Sequence, residues 1–146
     1  MKRYGCTNAT GARFKLFTAF LDDESDTWNL VGGRYIGVFR RIAEGVSGQS
    51  FGTTWDARKH RTLYHTTACN DVQVDPSSDE NPSGPDAVVF FGGGGMAYSC
   101  NDAFIVDAKG DRPLEPAGSA VTQMAVTPDG HRLYYLVGDV AKSVTV

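Results

Sequence analysis

Short apolar runs, broken by Gly, Pro, Asn and Asp, recur along most of this chain. The pattern is clearest from Ala103 to Val137, AFIVDAKGDRPLEPAGSAVTQMAVTPDGHRLYYLV. An apolar run ends at Asp107, a turn follows from Ala108 to Asp111, and a second extended run leads to Gly118. A further strand closes with Val126-Thr127-Pro128. The turn Asp129-Gly130 then hands over to the aromatic strand Arg132 to Val137. Asp-Gly between two β-rich runs is a strong hairpin signal, because Gly accepts positive φ. No apolar stripe of period 3.6 and helical length is present, so the pattern predicts a nearly helix-free, all-β chain.

The same layout returns upstream. The turn pattern [ND]-A-x-x-x-R occurs at Asn8–Arg13, Asp56–Arg61 and Asp107–Arg112, spaced by 48 and 51 residues, and Leu63 and Leu114 each stand two positions after the Arg. Val74-Asp75-Pro76 and Val126-Thr127-Pro128 are separated by 52 residues, and Leu21-Asp22-Asp23 is a weaker copy 53 residues earlier. Two separate features with one period indicate an internal repeat.

Each unit divides into four strands, A to D. Unit one, about 12–68, has A near Phe17 to Leu21, B from Arg34 to Ile42, C from Ser50 to Trp55 and D from Arg61 to Thr67. Unit two, about 69–118, has A at Asp71 to Val74, B at Ala87 to Phe91, C at Ala103 to Val106 and D at Arg112 to Glu115. Unit three, about 119–146, has A at Thr122 to Thr127, B at Arg132 to Val137 and the start of C at Ser143 to Val146. Arg3 to Cys6 precedes them as a stray C strand, giving with the following segment a C–D pair up to Leu16.

Four strands per unit at a period near fifty match a propeller blade. Val126-Thr127-Pro128-Asp129-Gly130-His131-Arg132-Leu133-Tyr134-Tyr135 resembles the repeat of YVTN-type and lactonase-like propellers. Ala87-Val88-Val89-Phe90-Phe91-Gly92-Gly93, then Tyr98, then Phe104-Ile105-Val106-Asp107, resembles a kelch motif. Units one and three lack the Gly pair after strand B, and unit two lacks the Trp that follows strand C in that motif. The resemblance implies a partial β-propeller of about three antiparallel, four-stranded, blade-like repeats forming a single domain. Propellers close with about four to eight blades. Three units therefore imply open edges and uncovered faces, at which Val144 and Val146 would be displayed.

Composition refines this picture. At 146 residues, 41% hydrophobic, 21% charged and with 17 Gly, the chain suits one turn-rich globular domain. Net charge is −3 and the chain is read as having no basic run, so nucleic-acid binding through phosphate neutralisation is not expected. Neither a signal-peptide h-region nor an apolar span of membrane length is visible. Cys6, Cys69 and Cys100 are odd in number and fit no metal spacing, which predicts reduced thiols and a cytoplasmic setting. Asn8-Ala9-Thr10 is a formal glycosylation acceptor that this setting would leave unused.

Candidate chemistry is sparse. Asp75, Ser77, Asp79 and Asn81 fall at alternate positions, with Asp86 at the twelfth, as in a calcium loop. Glu80 stands where that loop needs Gly, and Pro82 and Pro85 stiffen it, so a solvated connection without tight calcium binding is expected. Gly92 to Gly95 has no following GK[ST] and no helix to hold an anion, and is expected to be a turn. His60 and His131 belong in solvated turns. His65, near Cys69 and Asp71, invites a Cys-His-Asp triad, but no oxyanion-hole element accompanies it. Trp28, Trp55, Tyr64, Phe90, Phe91, Phe104, Tyr134 and Tyr135 are expected to pack between blades. Arg61 and Arg112 are expected to pair with Asp56 and Asp107.

No catalytic, cofactor-binding or metal-binding residue is assigned. The expected function is a protein-interaction scaffold that presents loops to a protein partner within a larger assembly; the expected association is with a protein partner or with copies of itself through the terminal strands. The resemblance also carries an alternative, a portion of a lactonase-like or dehydrogenase-associated propeller enzyme. Fold alone does not decide between them.

Overall fold

The computed structural model describes residues 2–6, 13–18, 24–44, 47–68, 87–100 and 102–146. Every long element in them is a β-strand, and neighbouring strands pair antiparallel throughout. Strands β1 (Lys2–Cys6) and β2 (Arg13–Thr18) form a two-stranded sheet. The first four-stranded sheet is a meander of β3 (Glu24–Val31), β4 (Tyr35–Glu44), β5 (Ser47–Asp56) and β6 (Arg61–Ala68). The second, middle sheet is a meander of β7 (Ala87–Phe90), β8 (Met96–Ser99), β9 (Ala103–Asp107) and β10 (Gly110–Pro113). The third holds β11 (Val121–Val126), β12 (Arg132–Val137) and β13 (Val140–Thr145). The all-β expectation of antiparallel, blade-like four-stranded repeats is what the chain adopts.

The middle sheet is covered on both faces. Side chains alternate across a strand, so Val88, Phe90, Met96, Tyr98, Phe104 and Val106 point to one side and meet Val31, Phe39 and Tyr64 of the first sheet. Val89, Phe91, Ala97, Ala103 and Ile105 point to the other side and meet Val121, Leu133 and Tyr135 of the third. Glycines let the first two sheets approach closely. A Cβ on Gly37 would overlap the Phe90 ring, and one on Gly52 would overlap the Met96 sulfur. Polar ties cross both interfaces. Thr66 Oγ1 donates to Asp111 Oδ2 at 3.1 Å, and Ser99 Oγ donates to the Val121 carbonyl at 2.7 Å.

Several boundaries differ from those read in the sequence, each for a physical reason. The first strand of the first sheet is Glu24–Val31, not the segment near Phe17, because Arg13–Thr18 is taken up by pairing with β1. Ala87–Phe90 is the first strand of its sheet, and its partner is Met96–Ser99, a strand absent from the expected set. All four residues of that strand are buried, so it carries no alternation to reveal it. The fourth strand starts at Gly110 rather than Arg112, because Ala108-Lys109 closes the turn and Gly110 takes φ +98°. In the third sheet Gly138-Asp139 forms a two-residue turn, so β13 starts at Val140 rather than Ser143. The expected strand at Asp71 to Val74 lies outside the described residues.

Val144 and Val146 are partly buried rather than fully displayed. Both pack against the cluster between the second and third sheets. Asp56 and Asp107 do occupy equivalent places, each ending the third strand of its meander. Asn8 lies outside the described residues.

Cys100 corrects the expectation of reduced cysteines, since it is disulfide-bonded. The chain has three cysteines, so one bridge leaves one thiol. Thiol titration in denaturant should count one sulfhydryl per chain without reductant and three after reduction. Three without reductant would exclude the bridge.

Candidate functional site

Hairpin turns that join first to second strands, and third to fourth strands, lie at the same end of each meander. In the first sheet these are the β3–β4 turn, Gly32-Gly33-Arg34, and the β5–β6 turn, residues 57–60. In the middle sheet they are the glycine turn at residues 91–95 and the turn Ala108-Lys109. In the third sheet it is residues 127–131. Together they form a rim, and this rim is tied from sheet to sheet.

Gly92 to Gly95 is the central knot of the rim. Gly92 N–H donates to the Gly130 carbonyl at 3.0 Å, joining the middle sheet to the Asp129-Gly130 turn of the third. A Cβ on Gly94 would come within 2.6 Å of Leu63 and 3.0 Å of Tyr35, both from the first sheet. A Cβ on Gly95 would overlap the Phe91 ring. The four glycines are a turn, as the sequence suggests, and their smallness lets one turn touch both neighbouring sheets.

Asp56 anchors the first-sheet part of the rim. Its carboxylate is 1% exposed and takes hydrogen bonds from Arg34 Nη2 at 2.6 Å and Arg34 Nε at 3.2 Å. Oδ1 also accepts the backbone N–H of Arg58 at 3.0 Å and of Lys59 at 3.2 Å. The Arg34 hydrogen bond, opposed by burial, holds the Asp56 carboxyl down at about 2. The Arg34 guanidinium also lies 4.9 Å from the centroid of the Tyr35 ring.

The expected partner, Arg61, is therefore displaced by Arg34. The cause is register. Arg61 lies directly opposite Asp56 across a four-residue turn, whereas the β3–β4 turn packs alongside, with Ala57 N–H donating to the Arg34 carbonyl at 2.9 Å. In the middle sheet the turn is shorter, Arg112 lies diagonal to Asp107, and the expected pair forms with contacts of 2.6 and 2.9 Å.

This arrangement leaves a run of cations at the rim. Arg58, Lys59, His60 and Arg61 are consecutive and all exposed, and no carboxylate of the described residues pairs with Arg58, Lys59 or Arg61. His60 is the one described non-glycine residue at positive φ, +52°. These four successive basic residues between two β-rich runs correct the reading that no basic run occurs. They are hidden by the acidic net charge of the whole chain.

The remaining candidates separate. His65 is exposed, its Nδ1 lies 2.8 Å from Thr53 Oγ1, and its ring stacks on Phe51 with centroids 6.0 Å apart. Cys69 and Asp71 lie outside the described residues, as does the acidic loop from Asp75 to Asp86. His131 is exposed in its turn, as expected. Among the described residues no three His, Cys, Asp or Glu side chains cluster as metal ligands.

Phe90, Phe91 and Tyr135 are buried between sheets, and Trp55 is buried beside Ile36, Val38 and Ala57 of its own sheet, but Trp28 is 41% exposed and Tyr134 48% exposed, so these two are not interior packing. Tyr135 donates its hydroxyl to Glu115 Oε1 at 2.7 Å, and Lys142 Nζ reaches Glu115 Oε2 at 2.8 Å. Burial and then the Glu115 hydrogen bond push the Tyr135 phenol up to about 12, which keeps it a donor at neutral pH. Among the described residues no helix is long and apolar enough to cross a membrane. Compared with protein-family models and with curated proteins, the sequence matches neither.

Proposed function

We propose that this chain is a propeller-like interaction scaffold whose turn-built rim engages a protein partner, within an assembly that also uses its terminal strands. The observation that carries this reading is the bracing of the rim. Turns from three successive sheets are fixed to one another through Gly92, Gly94, Gly130, Arg34 and Asp56. Loops held on a rigid β framework lose little freedom on binding, which favours recognition. The kelch-like and YVTN-like motifs support blades, and two four-stranded meanders stacked face to face are the form blades take.

The third sheet has three strands, and β13 is its edge. An edge strand offers unpaired backbone N–H and C=O groups to another chain. Sedimentation at micromolar concentration should therefore give a multiple of the monomer mass. A compact monomer with a cooperative melt would remove the assembly part of the proposal. A cytoplasmic setting, expected from the cysteine count, is not favoured by the Cys100 disulfide, since such bonds persist mainly in oxidising compartments.

A further inference from the structure

We propose that the β5–β6 turn, Arg58 to Arg61, is the part of the rim that binds the partner, and that it takes a carboxylate-rich acidic segment. The inference rests on the scaffold reading and names the surface and the chemistry of recognition.

Three observations converge on this turn. The first is charge without internal use. Arg34 and Arg112 are committed to Asp56 and Asp107, while the side chains of Arg58, Lys59 and Arg61 are exposed and form no ion pair with a carboxylate of the described residues. The second is preorganisation. Asp56 accepts the Arg58 and Lys59 amides, Arg34 clamps Asp56, and Ala57 is bonded to the Arg34 carbonyl. The backbone that carries the cations is thus fixed before any partner arrives, and less ordering is lost on binding.

The third observation is local strain. His60 sits at φ +52°, a conformation that costs a side-chain-bearing residue energy and suits glycine. The related turn of the middle sheet solves the same problem with Gly110 at φ +98°. Retaining His60 keeps an unbroken Arg-Lys-His-Arg tip, and strain held at an exposed turn points to use.

Carboxylate is the matching anion. Arginine presents a planar fork that fits a carboxylate through two parallel hydrogen bonds, and a short acidic peptide can be engaged by one turn alone. A nucleic-acid strand needs a stripe of cations along its backbone. Laid across this rim it would meet exposed Asp129 on the third sheet, on a chain of net charge −3.

The test is fluorescence anisotropy with a labelled dodecapeptide of glutamate, using the whole chain at low ionic strength and again at physiological salt. Peptide binding should fall as salt rises. The Arg58→Ser/Lys59→Ser/Arg61→Ser variant should weaken it about tenfold or more, while Arg58→Lys/Arg61→Lys, which keeps the charge but loses the fork, should weaken it clearly but less than the serine variant does. All three side chains are exposed, so the variants should melt like the parent.

Equal binding by the triple serine variant would overturn the proposal, as would tighter binding of a 20-nucleotide oligo-dT strand than of the peptide. The two readings fail separately. A monomer in sedimentation that still binds the peptide through these residues removes the assembly and leaves the tip. An assembling chain whose triple variant binds the peptide unchanged removes the tip and leaves the scaffold.

Discussion

Gly130→Ala is expected to cost about 3 to 5 kcal/mol of folding stability, more than a surface turn substitution ordinarily does. Two effects add. Gly130 has φ +74°, where alanine pays about 1 to 2 kcal/mol. The new Cβ would also lie 2.5 Å from the Gly92 nitrogen and 2.8 Å from its Cα. Those are backbone atoms and cannot swing aside as a side chain end can. Relief requires the second and third sheets to separate at the rim, with loss of the 3.0 Å Gly92–Gly130 hydrogen bond. Gly32→Ala is the control. Gly32 has φ +57° with nothing near its missing Cβ, so only the strain of about 1 to 2 kcal/mol should appear. Urea denaturation of the two variants measures the difference. Equal losses would mean that the Gly92–Gly130 contact does not hold the sheets together.

Asp56 gives the second large effect. Asp56→Ala should destabilise the fold by about 3 kcal/mol, because it strands a half-exposed guanidinium and two turn amides at once. Asp56→Asn keeps an acceptor for those amides and loses the charge, so about 2 kcal/mol is expected.

The same group governs acid stability. The Asp56 carboxyl is lowered by Arg34 from 3.8 to about 2, so the unfolded chain binds this proton more readily than the folded one. Its contribution, about 2 kcal/mol by linkage, is fully present above pH 4 and is lost as pH falls from about 4 to about 2. The stability gap between parent and Asp56→Asn should narrow by about half on going from pH 7 to pH 3. A gap of the same size at both values would show that the ion pair is not the source.

Both predictions rest on positions that the sequence marks unevenly. Asp56 was legible as a recurring turn residue, because the [ND]-A-x-x-x-R spacing places it where Asp107 also sits. Its partner was not. Whether Arg34 or Arg61 reaches the carboxylate depends on a difference of two residues in turn length, which is a fact of register and not of pattern. The hairpin at Asp129-Gly130 and strands Arg132–Val137 and Ala103–Asp107 were legible because their turns carry Gly or Asp at the bend.

Met96–Ser99 was not legible, since a strand buried on both faces shows no period. The tip Arg58–Arg61 was visible as letters but had no meaning until the turn was seen to be exposed, with Arg58, Lys59 and Arg61 in no ion pair with a described carboxylate. The knot at Gly92–Gly95 could be recognised as a turn. That it touches two other sheets follows only from how close those sheets come.

The doubly covered middle sheet has a further consequence, for how the stack is ordered. Polarity cannot tell this sheet which neighbour belongs on which side, since both of its faces are apolar. Volume can. The face carrying Phe90, Met96, Tyr98 and Phe104 needs a surface with hollows, and Gly37 and Gly52 supply them on the first sheet alone. The face with Ala97 and Ala103 is itself hollow and accepts Leu133 and Tyr135 from the third. A slip of one residue in β8 would turn Met96 and Tyr98 toward Leu133 and Tyr135, bulk against bulk, and leave Ala97 over Gly37 and Gly52. The order of the three sheets is thus written as a sequence of bumps and recesses, a steric key that a hydropathy profile cannot register.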